Sequence, residues 1–194
     1  MTTLADRLIE AMAKAAARQY GRERVNELAH ALQCAELAEG AGADEEMVLA
    51  CLLHDVGRYA VAQEEISDTL APAAASAESA RGHHEAGADL IAPYVPERVV
   101  FLVRAHTDAK RYLCSTEPSY YETLSRGSKH TLTLQGGAMT AEEMRRADTN
   151  PWWRDALRLR RWDDEAKVVG RKTRPLSAWK PLLRKYFDTG DVRR

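Results

Sequence analysis

Apolar residues recur along this chain at helical spacing, and no window alternates apolar and polar residues as a half-buried strand would. A chain with this pattern has to bury its core by packing helix on helix. The first stripe is Leu4, Leu8 and Met12. The spacing predicts helices over about 3–18, 23–39, 44–54, 76–92, 96–107, 117–125, 140–147, 151–168 and 176–187. Gly40 and Gly42 mark the end of the second, and Pro96 and Pro151 suit the first turns of later ones. Two stretches read as loops: residues 57–75, with Pro72, and residues 126–139, with Gly127, Gly136 and Gly137. There is no internal repeat. At 194 residues the expectation is one all-α domain spanning residues 1–194.

Charge and cysteine content exclude several classes of function. The 28 basic and 29 acidic residues nearly cancel, so no global field favours nucleic acid or an anionic membrane. No apolar run approaches the ~20 residues that span a bilayer. Asp6, Glu10, Lys14 and Arg18 interrupt the Ala-rich start, which is therefore not read as a signal peptide. Cys34, Cys51 and Cys114 are odd in number and form no C-x-x-C. Cys34 and Cys51 lie in apolar stretches as reduced core thiols, and the expected setting is a reducing cytoplasm.

Chemistry enters at ACLLHDVGRY, residues 50–59, where an apolar run ends on His54 and Asp55. Imidazole and carboxylate are both good ligands for iron, manganese or zinc, yet this dipeptide alone is commonplace. The remaining histidines give it weight. His30 lies in an apolar helix, His83 and His84 open HHEAGADLI, and His106 ends VVFLVRAH. A lone histidine on an apolar face is usually a satisfied core residue. Four helices each delivering one, together with the His-Asp pair, point to a metal centre.

The pattern H…HD…H…H…D resembles the HD-domain superfamily, whose helical bundle binds one or two metals. Longer blocks sharpen the likeness: YGRERVNELAHALQCA at 20–35, LLHDVG at 52–57, AKRYLC at 109–114, LQGG at 134–137 and LRLRRWDDEAK at 157–167. These are similar to the mixed-valence di-iron oxygenases of the PhnZ/TmpB type, which cleave carbon–phosphorus bonds. The likeness covers most of the chain. It places the metal-binding core at about 20–168, followed by a C-terminal helix at about 176–187.

The resemblance implies that His30, His54, Asp55 and Asp163 hold one iron, and that Asp55 bridges to a second iron completed by His83 and His106. His83 is preferred to His84 because it stands four residues before Gly87; His84 takes the role only if that helix shifts register. Asp163 is preferred to Asp164 by its place after Arg161 and Trp162. The resemblance makes Tyr20 the occupant of a vacant iron position until substrate displaces it, and Glu23 the partner of a substrate's cationic end. Their spacing to His30 puts all three on one helical face if the second helix reaches back to Tyr20. Their plain reading is a packing aromatic and a first-turn carboxylate.

Lys110, Ser128 and Arg160 are implied to bind the phosphonate. Lys110 follows His106 by four residues and Arg160 precedes Asp163 by three, so each projects beside a ligand. The plain reading of RLRRW, residues 158–162, is a solvated basic face. Arg58 departs from the family, which often has a substrate-touching histidine there; a permanent cation still suits an anion. Tyr20, Tyr59 and Trp162 are candidate walls for a quaternary ammonium.

The implied reaction is an Fe(II)/Fe(III) dioxygenation of a 1-hydroxyalkylphosphonate to a carboxylate and phosphate, with O2 as co-substrate. Glu23 suggests 1-hydroxy-2-aminoethylphosphonate, giving glycine, or its N-trimethyl analogue, giving glycine betaine. An upstream phosphonate hydroxylase would supply the substrate. The alternative is a metal-dependent HD phosphohydrolase acting on a small phosphate ester or nucleotide, which needs neither Tyr20 nor Glu23. A degenerate sensor is disfavoured because no expected ligand is missing.

Overall fold

The computed structural model describes residues 2–58 and 82–188. Ten α-helices lie among the described residues, with no strand beyond one isolated bridge between Gln19 and Asn26. They are α1 (Leu4–Lys14), α2 (Glu27–Gly40), α3 (Glu45–Leu53), α4 (His83–Ile91), α5 (Glu97–Thr116), α6 (Tyr120–Thr123), α7 (Arg126–Leu134), α8 (Ala141–Asp148), α9 (Trp153–Glu165) and α10 (Lys180–Phe187). Short 3-10 turns occupy Ala15–Ala17, Val56–Arg58 and Leu176–Trp179. No described helix is long and apolar enough to cross a membrane.

The centre of the bundle is α3. All seven residues from Met47 to Leu53 are buried, the signature of a helix with no solvent face. Its start is set by Asp44, whose side chain accepts the Met47 N–H at 2.9 Å. Helices α2, α5 and α9 pack around it, and α4 lies against α5. This arrangement brings His30, His54, His106 and Asp163 inward from four different helices or helix ends. Helices α1 and α10 pair away from that centre, where Asp188 accepts the Ala5 N–H at 3.1 Å.

Three expectations need correction. The second helix does not reach back to Tyr20. Asn26 caps it by accepting the Ala29 N–H at 2.7 Å, and the chain before it folds as a tight loop, with the Tyr20 N–H on the Val25 carbonyl at 2.9 Å. Tyr20 and Glu23 therefore share a loop, not a helical face. Residues 126–134 form α7, not a loop: Ser125 accepts the Ser128 N–H at 3.1 Å, and the positive-φ Gly136 and Gly137 end the element. Its polar sequence buries only Ser128 and Leu132, so no apolar stripe advertised it. Helix α5 runs on to Thr116, because Lys110 and Ala109 continue its buried face past His106. The proposed loop beyond Arg58 and the predicted helix before Gly82 lie outside the described residues.

One glycine pair sets how closely the His-Asp turn meets α4. A Cβ at Gly57 would stand 2.0 Å from the His83 carbonyl oxygen, and one at Gly87 would stand 2.8 Å from the Gly57 nitrogen. Only hydrogen fits, so the two backbones touch and His83 is carried up against Asp55. Gly57→Ala is therefore expected to cost roughly 3 kcal/mol through overpacking. Gly40→Ala, at a helical position with nothing within 4 Å, should be neutral or add up to about 1 kcal/mol. Urea denaturation of both variants against the parent checks the contrast.

Candidate metal centre

Each inward histidine is fixed by its rear nitrogen. His30 Nδ1 meets the Ala166 carbonyl at 2.9 Å, His54 Nδ1 the Cys51 carbonyl at 2.8 Å, and His106 Nδ1 the Val103 carbonyl at 2.7 Å. A carbonyl only accepts, so Nδ1 carries the proton in each ring and Nε2 faces the centre. The Nε2 atoms of His30 and His54 come within 3.1 Å, and those of His83 and His106 within 3.3 Å. Between these pairs stands Asp55. Its Oδ2 lies 3.3 Å from His54 Nε2 and 3.7 Å from His30 Nε2, and its Oδ1 lies 3.0 Å from His83 Nε2 and 3.9 Å from His106 Nε2.

Among the described residues, two sets of ligand atoms could each hold a metal ion: His30, His54 and Asp55, and Asp55, His83 and His106. Asp163 extends the first set, with Oδ1 at 3.3 Å from His30 Nε2 and 4.0 Å from His54 Nε2. Asp55 Oδ2 and Asp163 Oδ1 are buried and accept no hydrogen bond. Carboxylate oxygens buried without a hydrogen bond, with imidazole Nε2 atoms converging on them, are costly unless a cation lies close, so the donor set fits a metal. His84 stays out of both sets, its ring centre 6.2 Å from that of His106.

Protonation follows from burial and neighbours. Burial pushes the pKa of His30 below the ordinary histidine value and that of His106 well below it; His83 is lowered by burial and by the Arg58 charge. Burial opposes the charged form of His54 too, but Asp55 outweighs it and lifts His54 well above the ordinary value. Burial likewise works against the Asp55 and Asp163 anions. Arg58 and His54 hold Asp55 well below the usual carboxylate range, and Arg160 and Lys167 do the same for Asp163.

Beside these candidate ligands opens a cleft of about 250 Å³, lined among others by Tyr20, Glu23, Arg58, Lys110, Ser128 and Arg160. These six candidate substrate-side residues thus share one cavity with His83, His106 and Asp163. Arg160 is buried and donates from Nη1 to Asp163 Oδ2 at 2.6 Å and from Nη2 to Ser128 Oγ at 3.4 Å. Lys110 is fully buried and donates to Thr131 Oγ1 at 2.8 Å; burial and the neighbouring Arg160 charge lower its pKa to about 7. Tyr20 stacks on His30 with ring centroids 3.9 Å apart, and Glu23 accepts from the Ser125 hydroxyl. Of the other candidate walls, Trp162 does not line the cleft and Tyr59 lies outside the described residues.

Sequence reasoning passed over the support behind Arg160. Asp164, set aside in favour of Asp163, accepts from Arg160, from the Tyr120 hydroxyl and from Lys167 Nζ at 3.1 Å. Lys167 also donates to Ser128 Oγ at 3.1 Å. The only trace in the sequence is spacing: Asp164 and Lys167 stand four and seven residues after Arg160, on its helical face and just past it.

A metal entering between His30, His54 and Asp55 must displace the proton that Asp55 stabilises on His54. In the metal-free protein that charged pair contributes stability below the ordinary histidine pKa, and the contribution is lost as pH rises through the raised one. Binding is therefore expected to release protons, and affinity to fall as pH falls. Calorimetry in two buffers of different ionisation enthalpy measures the release.

Comparison with known proteins agrees with this geometry. The HD domain matches residues 28–166. The hydroxymethylphosphonate dioxygenase of Gimesia maris is 39% identical over 157 residues, covering 81% of this chain and 75% of the relative. The glycine-betaine-forming 1-hydroxy-2-(trimethylamino)ethylphosphonate dioxygenase of Leisingera caerulea is 34% identical over 172 residues, covering 88% and 83%. The chain belongs to the HD-domain family, on the branch that carries these two phosphonate dioxygenases.

Proposed function

We propose that this protein is an oxygen-dependent enzyme that cleaves the carbon–phosphorus bond of a 1-hydroxyalkylphosphonate. The observation that carries the reading is the junction of two sites in one cleft: a buried imidazole–carboxylate cluster, and buried Lys110 and Arg160 beside it. A hydrolase also needs metals and cations. The sequence likeness to enzymes named for phosphonate dioxygenation favours the oxidative reading over the phosphohydrolase.

In this reading the metals are two irons in the Fe(II)/Fe(III) state, held by His30, His54, Asp55 and Asp163 on one side and Asp55, His83 and His106 on the other. Bound there, they would supply dioxygen activation and the electron transfers of the reaction. The chain's own residues supply position and charge. Lys110 and Arg160 take the phosphonate oxygens, with Ser128 donating its hydroxyl between them. Because Arg160 is braced by Asp163 and Asp164, it meets the substrate with little ordering cost. Tyr20, stacked on His30, covers the ligand cluster until substrate enters.

Glu23, oriented by Ser125, faces the same cleft and suits a cationic tail. The tail is then an ammonium, in 1-hydroxy-2-aminoethylphosphonate, or its trimethylated form. The products are glycine or glycine betaine with phosphate, and the hydroxyl at C1 requires a preceding hydroxylase.

Iron-loaded protein given either substrate should release phosphate only in the presence of O2. Release that is indifferent to O2 would overturn the oxidative reading. Turnover of hydroxymethylphosphonate alone would remove only the role assigned to Glu23. Arg160→Lys keeps the charge but loses the two-oxygen fork, and is expected to lower kcat/KM by about tenfold to a hundredfold. Tyr20→Phe should retain both metals and alter the resting iron spectrum; an unchanged spectrum would reduce Tyr20 to packing.

A further inference from the structure

Arg58 lies on the face of the centre where the second ligand set is completed. Its Nε donates to Asp55 Oδ1 at 2.8 Å, and its guanidinium carbon sits 5.1 Å from the Tyr20 ring centroid. Oδ1 is the oxygen turned towards His83 and His106, whereas Oδ2 faces His30 and His54. The two sets are therefore unequal. The first has Asp163 as a further carboxylate and is fully buried; Lys167 Nζ stands 3.4 Å from Asp163 Oδ1, but no hydrogen bond occupies that oxygen. The second draws on a single oxygen, Oδ1 of the shared Asp55, already engaged by a permanent cation, and its His83 is only partly buried.

A divalent or trivalent ion placed between Oδ1, His83 and His106 would have to share that oxygen's lone pairs with the guanidinium. It would also sit beside a like charge that pH cannot remove, in surroundings that screen it poorly. We infer that Arg58 makes the two metal positions fill in order, the His30–His54–Asp163 position first and tightly, the His83–His106 position second and weakly. Arg58 is thus a positioning residue that acts on metal occupancy through Asp55. The inference rests on the reading of both ligand sets as metal sites.

The test is titration of metal-stripped full-length protein with Mn(II), the free ion being counted by electron paramagnetic resonance. Mn(II) binds least tightly in the divalent series, which keeps two steps resolvable. The parent should bind in two steps, and His83→Ala should lose the weaker one. Arg58→Gln removes the charge while keeping a donor. It should tighten the weaker step by about tenfold or more and leave the stronger within about threefold. Arg58→Ala is read in its place if the glutamine variant does not reproduce the parent's circular dichroism.

A weaker step that is unchanged or further weakened without Arg58 would overturn the inference, as would two equal steps in the parent. A parent that binds no Mn(II) would instead overturn the metal reading beneath it.

Discussion

Two buried carboxylates, each with one oxygen that accepts no hydrogen bond, are the constraint around which this molecule is organised. Asp55 and Asp163 both present an oxygen that accepts nothing, inside a bundle whose neighbouring atoms are imidazole nitrogens facing inward. Desolvating a carboxylate costs several kcal/mol unless something positive compensates. Arginine supplies part of that compensation from outside the cluster, Arg58 to Asp55 and Arg160 to Asp163. The inner oxygens keep their lone pairs for a cation. The backbone carbonyls of Ala166, Cys51 and Val103 serve the same end, because each commits a histidine's rear nitrogen and leaves the forward one available.

Helix geometry then ties the anion side of the cleft to the metal side. His106 and Lys110 share α5 at a four-residue spacing, and Arg160 and Asp163 share α9 at three. Each helix thus delivers one candidate ligand and one cation about a turn apart, a separation set by backbone rise and not by loop conformation. Since α5 and α9 pack directly on each other, the two cations meet near Ser128 on α7. The strongly packed part of the chain therefore holds both functions, as precise placement of reacting groups requires. Tyr20 and Glu23 come from a loop, which suits the substrate-facing roles proposed for them.

The all-helical class and the inward histidines were legible because both depend on local signals: apolar spacing, caps, and histidines in apolar stretches. Helix α7 was not, since it is held by the Ser125 cap and by the residues it covers, with hardly an apolar stripe of its own. The loop around Tyr20 escaped for a related reason. Asn26 had to be recognised as a cap that starts α2 after Glu23, and its effect is visible only with the bridge to Gln19 in view. Lys110 could be placed beside His106 by spacing alone, but its full burial and lowered pKa come from neighbours on α7 and α9.

By itself, then, the sequence determined that helices would form, that four histidines and two aspartates stood where helical packing could gather them, and that cations flanked two of those positions. All of this follows from short-range periodicity. Only tertiary structure decided how the donors divide: which oxygen of Asp55 faces which histidine pair, and which residues of the centre Arg58 touches. It also decided that Asp164, Tyr120 and Lys167 brace Arg160. Those distinctions depend on segments far apart in the chain meeting, Asp55 with His30, His83 and His106 and Tyr120 with Asp164, made possible at one point by a pair of glycines with no Cβ to hold the backbones apart. No local rule of spacing carries that information.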